Sequence, residues 1–329
     1  MPRRSPASFP GLVHSSSFAV LRQLADGRLR SGAALAAAAG LTRAGVAPAL
    51  RDLAAHGLAF ETVRGRGYRL ARPFDSLDAA AIRAALAAPT LRPELVDECE
   101  STNALLAGRA AAGAPSGTAL LCELQRAGRG RRGAGWYSGL GSSLTLSVLW
   151  RFERSAAGLS GLPLAIGVAC ARALESLGAS DVALKWPNDI VRAGGKLGGI
   201  LVEVSGSPHA AAVIGVGINV RLPAGAARAI GRPVADLGGA VPRNALAARV
   251  LDEVAGAAAA FERDGFGAFR TEWLRRHAWQ GRRVRVLAPA QRTVDGVAAG
   301  VAEDGALIVE TPDGPERFHA AEVSLRLAA

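Results

Sequence analysis

Residues 125–133 read Gln125-Arg126-Ala127-Gly128-Arg129-Gly130-Arg131-Arg132-Gly133, and two folds compete for them. Gly128, Gly130 and Gly133 match GxGxxG, and Glu153 lies 20 residues beyond the last of them, the spacing of a dinucleotide-binding βαβ unit. That unit needs a helix to begin at the third glycine, so that its N-terminus faces a pyrophosphate. Gly135, Gly139 and Gly141 follow instead, and then the strand-like run Ser142 to Trp150. The Rossmann reading is therefore rejected, and the absence of GK[ST] removes a P-loop. A mobile cationic loop remains, its glycines permitting unusual backbone angles, suited to folding over an anionic ligand with N–H groups and guanidinium forks together. The alternative is an exposed basic loop with no ligand. Four Arg in seven residues repel one another, which favours a neutralising anion.

Downstream, Val182 to Leu184 reads as a strand running into Lys185-Trp186-Pro187-Asn188-Asp189. Lys196 to Val204 and Ala211 to Val220 read as an antiparallel pair of strands. Gly215 and Gly217 share one face of the second, leaving a flat patch that a ligand or backbone can approach. Of 39 basic residues only Lys185 and Lys196 are Lys, which raises the question of why an amine is kept there. A lysine at a strand end, beside a proline-fixed turn bearing Asn and Asp, suits a phosphate or carboxylate, with Asp189 available to a magnesium ion. An ordinary salt-bridged turn is the alternative.

Charge divides the chain. Residues 1–72 hold eleven Arg against Asp26, Asp52 and Glu61, so this segment supplies +8 of the net +11. Phe18, Val20, Leu21 and Leu24 suggest a first helix. Ser31 caps a second through Ala39, and Thr42 caps a third with Val46, Leu50, Leu53 and Ala54 on one face. Leu58 to Thr62, the turn Arg64-Gly65-Arg66-Gly67, and Tyr68 to Leu70 read as a hairpin wing. This pattern is a winged helix-turn-helix with a nucleic-acid partner. Arg43, Arg51, Arg64 and Arg66 are its phosphate-binding candidates. Pro48 sits six positions into the third helix, where proline costs about 3 kcal/mol, so either that helix is kinked or its frame is shorter. Gly45, Ala47, Pro48 and Ala49 offer bases no side-chain hydrogen bonds.

Other classes are excluded or weakened. The best apolar run, Leu162 to Ala171, stops at Arg172, short of a membrane span. The first residues are basic but lack an apolar signal core. Cys99, Cys122 and Cys170 show no CxxC, so neither a disulfide framework nor a zinc site is expected. These features predict a soluble cytoplasmic protein. An Ala-rich helix over Leu77 to Ala88 leads to Pro89 and Pro93, read as a linker. From about Gly281, alternating Val284/Val286 and Leu307/Val309 lie between Asp304-Gly305 and Asp313-Gly314 hairpin signals.

Together, Glu100-Ser101-Thr102-Asn103, the loop Gly128 to Gly133, Lys185 to Asp189, Lys196 to Glu203 and Gly215 to Asn219 resemble, in order, the motifs of biotin–protein ligases. With the N-terminal module, the chain resembles the bifunctional type that is also the biotin operon repressor. Lipoate ligases share the catalytic fold but lack the basic loop. The resemblance implies an α/β (α+β) protein: a winged domain (1–72), a mixed-sheet catalytic domain (73–276) and a C-terminal SH3-like small barrel (277–329). It implies ATP-dependent formation of biotinyl-5'-AMP and transfer of biotin to a lysine of the biotin carboxyl carrier protein of acetyl-CoA carboxylase. Ser101, Thr102, Asn103 and Gln125 would bind biotin, with Arg129, Gly130 and Arg131 closing over its carboxylate and Lys185 as central cation. Gly128, Arg132, Asn188 and Asn219 would serve the nucleotide, Asp189 a magnesium ion, and Trp136 would be either a wall of the ligand site or a core tryptophan. Arg326 is a candidate to reach the nucleotide. For Lys196 a salt bridge or packed stem is expected. The adenylate would act as corepressor, favouring a homodimer on operator DNA. A ligase whose winged domain has lost specific DNA binding, and a biotin-sensing regulator without ligase activity, are the alternatives.

Overall fold

The computed structural model describes residues 13–288, 292–320 and 324–327. The N-terminal segment folds into α1 (Ser15–Leu24), α2 (Gly32–Ala38), a 3₁₀ turn at Arg43–Gly45, α3 (Val46–Ala55), β1 (Phe60–Val63) and β2 (Gly67–Leu70). Ser31 caps α2, its Oγ accepting the Ala34 N–H at 3.1 Å. α2 meets the helical run 43–55 at 98°, within the range for two helices joined by a tight turn. The frame drawn from Thr42 is corrected: Thr42 opens the 3₁₀ turn, and α3 starts at Val46 with Pro48 as its third residue. In a first turn the backbone N–H has no partner inside the helix, so proline is tolerated. Val46, Ala49, Leu50 and Leu53 are buried, whereas Ala54, expected beside them, is exposed.

The periodicity did not reveal a third strand position beside the β1–β2 hairpin. Arg30 exchanges backbone hydrogen bonds with Tyr68, both at 2.9 Å. Gly67 lies where the two backbones cross: its φ is +136°, and a Cβ there would overlap the Arg30 carbonyl. Only glycine fits.

α4 (Ala79–Ala85) is shorter than the Ala-rich stretch, because Asp78 caps it, its Oδ1 accepting the Ala80 and Ala81 N–H groups at 2.8 and 3.1 Å. Pro93 is not in a linker. It lies within β3 (Arg92–Cys99), an edge strand, where a residue without an N–H is tolerated. α5 (Thr102–Ala111) connects β3 to β4 (Thr118–Gln125), which runs parallel to it. β5 (Ser143–Phe152), α6 (Leu162–Ser176), β6 (Ala183–Lys185), β7 (Asp189–Arg192), β8 (Gly195–Ser205), β9 (Ala210–Asn219), α7 (Ala226–Ile230), α8 (Arg243–Asp264) and α9 (Gly267–Arg275) follow. The seven strands order as β3-β4-β5-β9-β8-β7-β6, antiparallel after the first pair.

Successive strand residues point to opposite faces, and the two faces carry different loads. Leu121, Leu146 and Ile214 join α6 and α8 in the main core, while Leu120, Leu149 and Val213 pack with Leu106 of α5 on the other side. The stretch Ala156–Ser176 is long and apolar enough to cross a membrane by composition, but 72% of its most apolar window is buried inside the protein. α5 covers only part of its face, and the remainder is where the polar residues gather.

The C-terminal strands β10 (Arg283–Leu287), β11 (Thr293–Val301), β12 (Leu307–Thr311), β13 (Gly314–Phe318) and β14 (Ser324–Leu327) form an antiparallel sheet ordered β13-β12-β11-β10-β14. The β11–β12 hairpin turns at the expected Asp304-Gly305 pair, whereas the β12–β13 hairpin turns at Pro312-Asp313, with Gly314 opening β13 opposite Thr311. Among the described residues no ladder joins β13 to β14, so the sheet is open where a small barrel would close. Val284, Val286, Leu307 and Val309 are continuous with the central core, and the Trp186 Nε1–H donates to the Gly305 carbonyl at 3.1 Å.

A buried ion pair fastens the segment before α4. Arg243, 1% exposed, donates to Glu123 at 2.8 Å, to the Asp75 carbonyl at 2.8 Å and to the Ser143 carbonyl at 3.1 Å. Glu123 also accepts the Leu77 N–H at 2.6 Å.

Candidate functional site

The site is built where the end of β4 meets the start of α5. Thr102 donates from its N–H and its hydroxyl to Gln125 Oε1, at 2.7 and 3.0 Å. The Ser147 hydroxyl lies 2.7 Å from Thr102 Oγ1 and 2.6 Å from Asn103 Oδ1. Asn103 Nδ2 donates to Glu203 at 2.8 Å and to the Leu201 carbonyl at 3.1 Å. Ser101, Thr102, Asn103, Gln125 and Ser147 are all buried. Ser101 caps α5 through Ala104, at 3.5 Å. This floor of hydroxyl and amide groups has the chemistry for a small polar ligand such as a urea. Ser147 escaped the sequence reading, although its signal is present: Ser143, Thr145 and Ser147 alternate with Leu144, Leu146 and Val148 along β5.

Trp136 and Asn103 occupy the glycine patch. A Cβ at Gly217 would stand 2.6 Å from the Trp136 ring, and one at Gly215 would overlap Asn103. The glycines thus seat two side chains of the protein itself. The Trp136 backbone N–H donates to the Gly128 carbonyl at 2.7 Å, which ties the residue to the basic loop. The indole N–H is buried and has no acceptor among the described residues.

The loop itself forms a single 3₁₀ turn, Arg131–Gly133, and no helix, in keeping with the rejection of a dinucleotide fold. Arg132 is left-handed at φ 55°. Arg129 pairs with Glu203 at 2.9 Å. Arg131 reaches Asn188 Oδ1 at 3.4 Å and the Ala320 carbonyl in the turn after β13. Burial lowers the proton affinity of the Arg131 guanidinium, with Asp189 acting against that effect. Gly130 N–H closes the loop on the Ala134 carbonyl at 2.6 Å.

Asp189 is the charge centre. One oxygen lies 3.6 Å from Lys185 Nζ, and the other is hydrogen-bonded to Lys196 Nζ. Lys185 also sits over the Trp279 ring, 4.4 Å from its centroid, whereas Lys196 faces Trp136 at 5.9 Å and lies against Gly199. Both lysines are in the site, and Lys196 is the one beside the Trp136 wall. Lys185, the expected central cation, and Lys196 share the Asp189 carboxylate, and the expected salt bridge of Lys196 is present. Burial pulls both ammonium groups below the usual lysine range, with Asp189 opposing. Arg326 is close enough to Lys185 for its charge to act there.

Two nucleotide candidates have structural duties. Asn219 is buried and donates to the Lys196 and Ala235 carbonyls at 3.2 and 3.0 Å. Asn188 donates to the Ile200 carbonyl at 2.7 Å while holding Arg131. Magnesium at Asp189 fits poorly, because both carboxylate oxygens face ammonium groups. Among the described residues no group of three or more His, Cys, Asp or Glu is arranged to hold a metal ion.

In the N-terminal module Arg43, Arg51, Arg64 and Arg66 are exposed and have no carboxylate partner among the described residues. Their neighbours differ: Arg22 pairs with Asp97, Arg28 and Arg30 with Asp26, and Arg69 with Glu61.

Residues 96–219 match the biotin/lipoate A/B protein ligase family, and residues 281–326 match the biotin protein ligase C-terminal domain. The bifunctional ligase/repressor BirA of Salmonella typhimurium is 35% identical over 310 residues, covering 93% of this chain and 96% of that protein. The biotin–[acetyl-CoA-carboxylase] ligase of Mycobacterium tuberculosis is 36% identical over 223 residues, covering 66% and 82%. Among solved structures, the biotin protein ligase of Aquifex aeolicus in complex with biotin and ATP aligns with a TM-score of 0.62 and 27% identity, covering 72% of this chain and 99% of that one.

Proposed function

The chain belongs to the biotin/lipoate A/B protein ligase family and is a biotin protein ligase, and we propose that it makes biotinyl-5'-AMP from biotin and ATP and passes biotin to a carrier-protein lysine. The observation that carries this reading is the pairing of Lys185 and Lys196 with Asp189 beside Arg131, next to a buried polar floor. Ser101, Thr102, Asn103 and Gln125, with Ser147, would hold the ureido end of biotin. Trp136 would wall the ligand. Lys196 and Arg131 would meet the biotin carboxylate and α-phosphate, with Arg129 and Gly130 closing over them. Lys185, Gly128, Arg132 and Arg326 would lie toward the nucleotide.

Joining a carboxylate to a phosphate brings two anions together. Fixed cations in a partly dehydrated site lower that barrier most where negative charge develops at the transferring phosphorus. Asp189 holds both ammonium groups in place beforehand. Incubation with ATP, magnesium, labelled biotin and a biotin-acceptor domain tests the reading, and absence of transfer would exclude it. The acceptor is expected to be the biotin carboxyl carrier protein of acetyl-CoA carboxylase.

The second role, repression, is favoured by Arg43, Arg51, Arg64 and Arg66, which have no carboxylate partner among the described residues, on a module read as a winged helix-turn-helix. In this reading the adenylate stabilises a homodimer that spans two operator half-sites. Gel shifts on DNA upstream of biotin-synthesis genes, with and without biotin and ATP, decide it.

A further inference from the structure

The segment after α7 brings one more cation to the site. Lys196 N–H donates to the Pro233 carbonyl at 3.1 Å, and Ala235 N–H donates back to the Lys196 carbonyl at 2.9 Å. The Asn219 amide ties the Lys196 and Ala235 carbonyls together. Gly195 allows the approach, since a Cβ there would stand 2.5 Å from the Val234 carbonyl carbon. Residues 233–235 are thereby fixed along the start of β8, and Arg232 is delivered to the rim beside Lys196.

Arg232 is exposed and has no hydrogen-bond or carboxylate partner among the described residues. After burial and the opposing pull of Asp189, its charge acts on both lysines. Asp189 is the carboxylate that Lys185 and Lys196 share, so Arg232 adds to an excess of positive charge that no other carboxylate among the described residues is seen to offset at these lysines. A polyanion with charge to spare beyond the reacting phosphate satisfies it.

We propose that Arg232 binds the β- and γ-phosphates of ATP and holds the pyrophosphate as it leaves. This rests on the ligase reading. In that reaction a biotin carboxylate oxygen bonds to the α-phosphorus while the Pα–O bond to the β-phosphate breaks. The bonding pair leaves with pyrophosphate, and no proton is transferred. Negative charge therefore grows on the departing group. An exposed guanidinium fork suits it, because the fork matches phosphate oxygens and the rim position lets product escape.

The test separates the two half-reactions in the full chain, comparing the unaltered protein with Arg232→Gln and Arg232→Lys. Biotin-dependent exchange of pyrophosphate into ATP reads the first, and transfer from chemically prepared biotinyl-5'-AMP to an acceptor domain reads the second. Arg232→Gln should raise the KM for ATP and for pyrophosphate about tenfold, leave transfer from the adenylate unchanged, and be partly rescued by Arg232→Lys. KM values within twofold of the unaltered protein would overturn the proposal, as would a parallel loss of transfer. If the unaltered protein supports neither exchange nor transfer, the ligase reading itself fails and this one with it.

Discussion

Trp136 lies so close to Gly217 that a Cβ on the glycine would stand 2.6 Å from the indole ring. Gly217→Ala should therefore push the ring out of its seat. Trp136 is on a loop, so the fold should survive with little change in Tm. Biotin affinity, measured by calorimetry, should fall about tenfold or more, and the tryptophan fluorescence should change. Unaltered affinity would show that the ring does not wall the ligand.

Lys185→Arg and Lys196→Arg should each lose most adenylation, read by pyrophosphate exchange. A planar guanidinium cannot replace a compact ammonium beside a reacting phosphate. Near-normal exchange in either variant would remove that lysine from the chemistry.

The same lysines set an expected pH dependence. Burial lowers both, so their ammonium forms are present at low pH and are lost as pH rises below the ordinary lysine range. The alkaline limb of kcat/KM for ATP should fall in that window, and in kcat it should move upward because bound phosphate favours the charged amine. The unfolded chain keeps these protons to higher pH, so their contribution to folding stability grows as pH rises through the window. Activity and this stability contribution thus move in opposite directions. A limb at the usual lysine position would contradict the assignment.

Much of this site was legible because its residues fall into short ordered runs. The basic loop, the lysine-to-aspartate turn and the glycine strand each announce a local chemistry. The pairing of Lys196 with Lys185 across Asp189 was not legible, since it depends on the antiparallel register that sets Asp189 opposite Gly199. The glycine patch is a place of close approach, but two side chains of the protein fill it where a ligand or backbone was expected, and they come from a loop and a helix far away in sequence. In the N-terminal module the helix frame failed by a few residues because a 3₁₀ turn precedes α3, and such a turn leaves no mark in apolar periodicity.

Arg243→Met should destabilise the protein by about 3–5 kcal/mol in denaturant unfolding, because Glu123 would be left buried and unpaired. Replacing both partners, as Arg243→Met with Glu123→Gln, should recover part of that loss. A single variant as stable as the unaltered protein would show that the pair is not fastening the segment before α4.

Arg64→Ala and Arg66→Ala should weaken DNA binding alike on all sequences, and each should reduce the slope of log K against log salt by about 1. Ligase activity should not change. A sequence-selective loss would mean that the wing reads bases.

In the proposed reaction the protein generates an activated acyl group that lysines attack, yet it carries only two lysines of its own. Both are held on the Asp189 carboxylate inside the site, and the rest of its basic surface is arginine, which does not acylate under these conditions. A reagent that escapes therefore meets almost no lysine amine on its maker. Intact-mass measurement after long incubation with biotin and ATP should show the chain essentially unlabelled, its surface chemically silent toward its own product.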